Sequence, residues 1–278
     1  MTRRKFDLKY IESELKDIGK IISKSVEVVL IGGANMMYRG LKAATKDVDI
    51  VVMNPNDLKM FSKGLDKLGY FEIKRLSKEY MNLGASVIMR NKDGFQYDIF
   101  HKQVCNALVL TPRIIKRAEK LGQFNNLSVL LMSPEDVFLF KGMTERAADL
   151  EDMRILVEQG LDWKIILDEC QEQEGNRIWE AFLHVKLEEL QERFGIRAPI
   201  SGKLRQISEQ RLLGNIITSF LNEGRTYKEL SDHIKKKLPC SDSWVQKQIS
   251  AMLKEGLIQR KRSGRTFIYY RKNPIIKD

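Results

Sequence analysis

The sequence has little of what staples a small secreted domain or builds a zinc ribbon. Its 278 residues contain three cysteines, Cys105, Cys170 and Cys240, far apart and with no C-x-x-C pair. A disulfide framework and a zinc ribbon are therefore not expected. The three histidines, His101, His184 and His233, do not cluster, and no Ser/His/Asp or Cys/His arrangement for nucleophilic catalysis is apparent. No stretch approaches the roughly 20 apolar residues that a bilayer span needs. The opening MTRRKFDLKY has no apolar run after its basic residues, so a secretory signal is not expected and the reading is a cytoplasmic protein with no membrane partner. Internal repeats and low-complexity tracts are also missing. Acid is scarce at one end of the chain. Lys203–Asp278 holds 17 Lys and Arg against 7 Asp and Glu, whereas the residues before it hold 31 against 30. Almost all of the net charge of +11 thus sits in the last quarter. A folded basic block of this kind is expected to meet a polyanion, DNA or RNA.

What is present reads as two different patterns. Residues 7–24 place Leu8, Ile11, Leu15, Ile18 and Ile22 at helical spacing. VEVVLIGG then reads as a buried strand stopped by two glycines, and ANMMYRGLK as a helix beginning straight after them. DVDIVVM is a second strand, with Val48, Ile50 and Val52 on one face and Asp47, Asp49 and Val51 on the other. A helix follows from Asn54-Pro55 to Gly69, then strands over 71–76, 84–90 and 95–100, the last two joined by a Lys92-Asp93-Gly94 turn. From Ser133 the pattern is helical: SPED is a start signal, and amphipathic helices continue over 137–160, 162–173 and 176–194. GIRAPISGK (195–203) interrupts the pattern and marks the expected boundary.

The chemistry concentrates in Gly32-Gly33, thirteen residues, then Asp47-Val48-Asp49. Two carboxylates one residue apart on a strand point the same way. Mg²⁺ takes octahedral oxygen ligands, commonly one or two carboxylates plus substrate phosphates. A third acid on a neighbouring strand would complete a two-metal phosphoryl-transfer site, and Asp98 in FQYDIF is the candidate. The glycines let backbone approach phosphate oxygens.

This spacing resembles the nucleotidyltransferase fold of the DNA polymerase β superfamily over roughly residues 7–100: Ile31-Gly32-Gly33, Asp47, Asp49 and Asp98 match its pattern. The segment SPEDVFLFKGMTERAADLEDM resembles that of AbiEii-like, toxin-type nucleotidyltransferases, with Lys141, Arg146, Asp149 and Asp152 at the matching positions and Thr45 in a Thr-x-Asp-x-Asp form. The resemblance implies Mg²⁺ or Mn²⁺ on Asp47, Asp49 and Asp98, an NTP substrate seated on Gly32, Gly33 and Thr45, Lys141 on the nucleotide phosphates and Arg146 assisting. Placed cations suit a transition state that spreads negative charge.

The last segment departs from the simple toxin form. Residues 207–224, 226–238 and 241–256 read as three helices, the second opening with a Thr226/Glu229 capping box, and 257–272 as a basic hairpin around Ser263-Gly264. That is the pattern of a winged helix-turn-helix. Ser243, Gln246, Lys247 and Ser250 would face a major groove, while Arg260, Lys261, Arg262 and Arg265 suit phosphate or minor-groove contacts. A homodimer is a further expectation. The expected architecture is α+β: a mixed-sheet catalytic domain over 1–130, a helical region over 131–200 that completes it, and a winged helix-turn-helix domain over 201–278. Two functions are consistent with this. One is metal-dependent transfer of NMP from an NTP to an acceptor, which is a tRNA end, a protein hydroxyl or a small molecule. The other is a DNA-binding regulator whose nucleotidyltransferase-like domain senses nucleotide or is inactive. An autoregulated toxin would unite them.

Overall fold

The computed structural model describes residues 4–74, 84–105, 108–144, 146–173, 179–238 and 240–272. These divide into two compact units, Met1–Leu204 and Arg205–Asp278.

The first unit is organised by one buried strand. β1 (Val26–Ile31) is VEVVLI, buried at every position but Glu27, as expected for a β-branched run with no solvent face. α1 (Leu8–Ile21) precedes it and α2 (Gly32–Tyr38) follows. β2 (Asp47–Val52) pairs antiparallel with β1, setting Ile31 opposite Asp49. After α3 (Pro55–Lys67) come β3 (Phe71–Glu72), β4 (Val87–Arg90) and β5 (Gln96–His101). β5 runs parallel to β2 in the register Asp47↔Gln96, Asp49↔Asp98 and Val51↔Phe100. β6 (Gln103–Val104) and β7 (Leu108–Val109) form a separate ribbon, and α4 (Pro112–Arg117) leads to β8 (Glu119–Phe124) and β9 (Leu127–Leu131). β9 lies parallel to β1 on its other side, closing a seven-stranded mixed sheet in the order β3-β4-β5-β2-β1-β9-β8.

Strand alternation sends two sets of side chains to opposite faces. Val28, Leu30, Val48, Ile50, Val52, Tyr97 and Ile99 pack with Ile11, Leu15, Ile18, Phe61 and Leu65 of α1 and α3. Val29, Ile31, Val51 and Phe100 pack with the helices α5 (Pro134–Lys141), α6 (Ala147–Glu158), α7 (Trp163–Glu172) and α8 (Trp179–Phe194). The helical stretch therefore shares a core with the sheet, and Ala198, Ile200 and Leu204 extend that core.

Some boundaries differ from the sequence reading. α2 begins on the glycines and stops at Tyr38 rather than running to Lys42. β3 is two residues long, and the remainder of the strand expected at 71–76 lies partly outside the described residues. So does the start of the helix expected at 176–194. Asn91 organises the hairpin turn, its Oδ1 accepting from the backbone N–H groups of Asp93 and Phe95. The helical pattern after Ser133 breaks between Lys141 and Ala147, where Gly142 closes α5 and Arg146 is extended. α9 (Ser201–Phe220) begins inside the stretch read as an interruption.

In the second unit the later part of α9 packs with α10 (Tyr227–Lys237) and α11 (Asp242–Lys254) around Leu213, Ile217, Leu230, Ile234, Val245 and Ile249. Thr226 and Glu229 form the reciprocal capping box that their spacing implies. The sheet is β10 (Arg225–Thr226), β12 (Thr266–Arg271) and β11 (Ile258–Ser263) in the order β10-β12-β11, and Ile258 and Tyr269 complete the core. Gly264, at φ +59°, turns the β11–β12 hairpin. Among the described residues, no helix is long and apolar enough to cross a membrane.

Candidate active site

The carboxylates lie on the sheet face covered by α5–α8. Asp47 and Asp49 alternate with buried Val48 and Ile50 along β2 and are half-buried. Asp98 is next to Asp49 in register, on the same face as Phe100, and is 2% exposed. Its Oδ1 accepts from Gln96 Nε2 at 2.5 Å. The glycine turn closes against this strand. Gly32 has φ +63°, and a Cβ built there would stand 2.2 Å from Asp49 Oδ2. A Cβ on Gly33 would stand 2.8 Å from Thr45 Oγ1. Thr45 in turn donates to the Asp47 carbonyl at 2.9 Å, and its backbone bridges Phe6. Thr45 therefore fixes the entry to β2 and packs under the turn.

Five alternating charges stand beside the carboxylates. Lys42 Nζ meets both oxygens of Asp152 at 2.8 and 2.9 Å. Lys141 Nζ lies 2.8 Å from Asp152 Oδ2 and 2.5 Å from Asp149 Oδ1. Arg146 Nε donates to Asp149 Oδ2 at 2.7 Å, and the Thr144 hydroxyl donates to the same oxygen. Lys141, Asp149 and Asp152 are buried. Burial opposes charge on Lys141 and Asp149, yet the pairing wins. The Lys141 ammonium is raised by Asp149 and Asp152, and the Asp149 carboxyl is lowered by Lys141 and Arg146. Arg146 carries the ladder to the site, since Asp49 and Asp47 both help raise its guanidinium against the cost of burial. Asp49 feels the reverse balance. Burial first and then Asp47 push its carboxyl up to about 7, against the pull of Arg146 and Lys141.

A pocket lies here, lined by Gly32, Asp49, Lys141, Thr144 and Arg146 on its polar side. Ile31, Phe100, Val137 and Phe140 are among its apolar walls. The structure thus brings Gly32, Asp49, Lys141 and Arg146 together around one space. Lys141 enters it already bonded to two carboxylates, a position different from that of an uncommitted phosphate-binding lysine. Lys42, which the sequence reading passed over, is the ladder's far end.

Among the described residues, no group of three or more His, Cys, Asp or Glu side chains is poised to hold a metal ion. Asp98 accepts from Gln96 and stands beside Asp49 in register. The donor set still fits Mg²⁺ or Mn²⁺. Asp47 and Asp49 are hard oxygen donors on one strand face, their mutual repulsion is what a cation would relieve, and Mg²⁺ commonly takes one or two carboxylates with the rest of its shell from water and phosphate.

In the second unit, Ser243, Gln246, Lys247 and Ser250 are exposed on one face of α11, at i, i+3, i+4 and i+7. Arg260, Lys261, Arg262 and Arg265 are exposed on the β11–β12 hairpin. The Arg260 guanidinium stacks over the Phe267 ring, 4.4 Å from its centroid.

A mixed sheet whose central strands end in a glycine turn and carry paired carboxylates, with an arginine drawn toward them, defines a nucleotidyltransferase-type domain. A family model described as "Nucleotidyltransferase of unknown function (DUF6036)" matches residues 7–193, and the chain belongs to that family. The match takes in the glycine turn, β2, β5 and the whole charge ladder and ends before α9. No curated protein matches the chain.

Proposed function

We propose that the first unit transfers a nucleoside monophosphate from an NTP to an acceptor hydroxyl, with Mg²⁺ or Mn²⁺ held by Asp47 and Asp49. One observation carries the reading: Asp49 lies against the Gly32 turn, where a β-carbon would clash with its carboxylate, and Arg146 lines the same pocket. The acceptor oxygen attacks the α-phosphorus, the bond from that phosphorus to the bridging oxygen breaks, and pyrophosphate leaves with the electron pair. The acceptor proton passes to solvent. When bound, the metal supplies Lewis-acid polarisation and neutralises phosphate charge. Gly32 and Gly33 give the phosphates access to backbone. Arg146 stabilises charge on the transferred phosphoryl group, and Lys141 holds Asp149, and through it Arg146, in place. Asp98 and Gln96 support Asp49 from the neighbouring strand.

The Lys141, Arg146, Asp149 and Asp152 pattern supports a toxin-type, AbiEii-like member. The acceptor is a tRNA end, a protein hydroxyl or a small molecule, and the basic second unit favours a nucleic acid. The test is incubation with labelled NTPs, Mg²⁺ and total tRNA or cell extract, wild type beside Asp49→Asn. Label incorporation should be abolished in the variant. Equal incorporation by both proteins would sink the reading.

A second reading rests on the second unit. Its three helices and basic hairpin suit a winged helix-turn-helix, with α11 in the major groove and the hairpin on phosphates. A DNA-binding regulator, or a toxin that regulates its own expression, follows from that arrangement. Duplex DNA retarded by the full chain, with no NMP transfer under any acceptor, favours the regulator.

A further inference from the structure

The two ends of the charge ladder differ from its middle. The Lys141 side chain is 7% exposed and two of its three ammonium hydrogens are committed to buried carboxylates. The Lys42 side chain is 33% exposed and pairs with Asp152. Lys42 also lies beside the turn: its Cδ is 4.0 Å from where a Gly33 Cβ would stand. Asp49 abuts Gly32 from the carboxylate side. The order Asp49, Gly32, Gly33, Lys42 therefore runs along the glycine turn, from the carboxylates to a partly exposed lysine side chain.

Residues 39–46 link α2 to the carboxylate strand, and they are anchored at both ends. Leu41 N–H donates to the Met36 carbonyl, and Thr45 bridges Phe6. Asp152 holds Lys42 from 110 residues away. The Lys42 side chain thus passes beside the turn, and Asp152 holds its ammonium at the far end. Such a position suits a point-charge phosphate ligand.

We propose that Lys42 binds the phosphates of the nucleotide farthest from the sugar, and that Asp152 holds it ready to do so. This rests on the nucleotide-binding reading of the site given above. Lys42 gives up one Asp152 oxygen to the phosphate, and Asp152 remains compensated by Lys141. A monophosphate, seated at the carboxylate end, does not reach it.

The test is calorimetric titration of the full chain in Mg²⁺ with non-hydrolysable analogues of the four NTPs, with the four NMPs and with inorganic tripolyphosphate. Lys42→Ala is expected to weaken triphosphate and tripolyphosphate binding by about tenfold or more, the loss of one charge-assisted contact, and to leave NMP binding unchanged. Lys42→Arg should restore most of the triphosphate affinity. Wild-type triphosphate binding that is unaffected by Lys42→Ala overturns the assignment and leaves the nucleotidyltransferase reading standing. So does equal weakening of mono- and triphosphates with a lowered melting temperature, which would make Lys42 only a strap. A wild type that binds no triphosphate overturns both.

Discussion

A methyl group on Gly32 and the carboxylate of Asp49 cannot occupy the structure together, because the Cβ position lies 2.2 Å from Oδ2. Gly32 is also at φ +63°, where a β-carbon is itself disfavoured by about 1 kcal/mol. Gly32→Ala should therefore lower stability by about 1–3 kcal/mol and displace Asp49, cutting NMP transfer at least tenfold. Gly33→Ala meets Thr45 Oγ1 at 2.8 Å, a hydroxyl on a rotatable side chain, and should be milder on both counts. Thermal melts with labelled-NTP incorporation compare the two. A Gly32→Ala protein as active as wild type would show that Asp49 does not need this position.

Asp49 makes the site sensitive to pH. Its carboxyl is pushed up from 3.8 to about 7 by burial and by Asp47. The folded chain then keeps a proton that the unfolded chain has lost. This group's contribution to stability accordingly falls as pH rises from about 4 to about 7, and stays lost above that. Asp49→Asn should melt higher than wild type at pH 8, by about 2–4 °C for each 1 kcal/mol relieved, and the gain should shrink toward pH 4. Because the proton competes with the metal for the same oxygens, Mg²⁺ affinity of the wild type should rise through about pH 7. A melting difference that is flat across this range would remove the argument.

Lys141 should matter more to stability than an exposed cation does. Lys141→Ala leaves Asp149 and Asp152 buried beside a lost partner, a change expected to cost about 3–5 kcal/mol. Arg154, paired on the surface with Glu151 and Glu158, should be replaceable by Ala without a measurable shift in melting temperature. Lys141→Ala combined with Asp149→Asn should recover part of the loss, since it removes the stranded charge as well. Denaturant melts of the three proteins decide it. Equal, small losses for Lys141→Ala and Arg154→Ala would mean that the buried ladder is not a stabilising unit.

The parts of this site legible in the sequence are those with a local signal. VEVVLI reads as a buried strand because its run is rich in β-branched residues, and DVDIVV reads as a strand because Val48, Ile50 and Val52 alternate with Asp47 and Asp49. Asn54, Ser133 and Thr226 announce helix starts through capping side chains, and each accepts the backbone hydrogen bond its position implies. The register that sets Asp49 beside Asp98 is a parallel pairing across 49 residues, and only the assembled sheet fixes it. β9 lies between β1 and the edge strand β8, yet LSVLL is too short an apolar run to distinguish a strand from a buried helix turn. The break at Gly142–Arg146 hides inside a continuous helical pattern, although it frees Arg146 to turn toward Asp49. Lys42 has no local signal at all: it sits in a polar loop, and its partner Asp152 arrives from another helix.

The second unit offers the plainest salt dependence. Arg260, Lys261, Arg262 and Arg265 are exposed, and none of them forms an ion pair among the described residues. Strand alternation sends Arg260 and Arg262 to one face of β11 and Lys261 to the other, so the hairpin presents cations on both sides. Each phosphate neutralised on a duplex contributes about −0.9 to the slope of log K against log salt. Replacing all four cations with Ala in the full chain should make that slope shallower by about 3–4 and weaken binding to every duplex sequence alike. Gln246→Ala on α11 removes no charge. It should leave the slope unchanged and alter only the preference among sequences, since base-edge contacts carry discrimination while phosphate contacts carry position. Fluorescence anisotropy at several salt concentrations separates the two variants. A slope untouched by the fourfold change would place the nucleic acid elsewhere, whereas a slope changed by Gln246→Ala would mean that α11 meets phosphates rather than base edges.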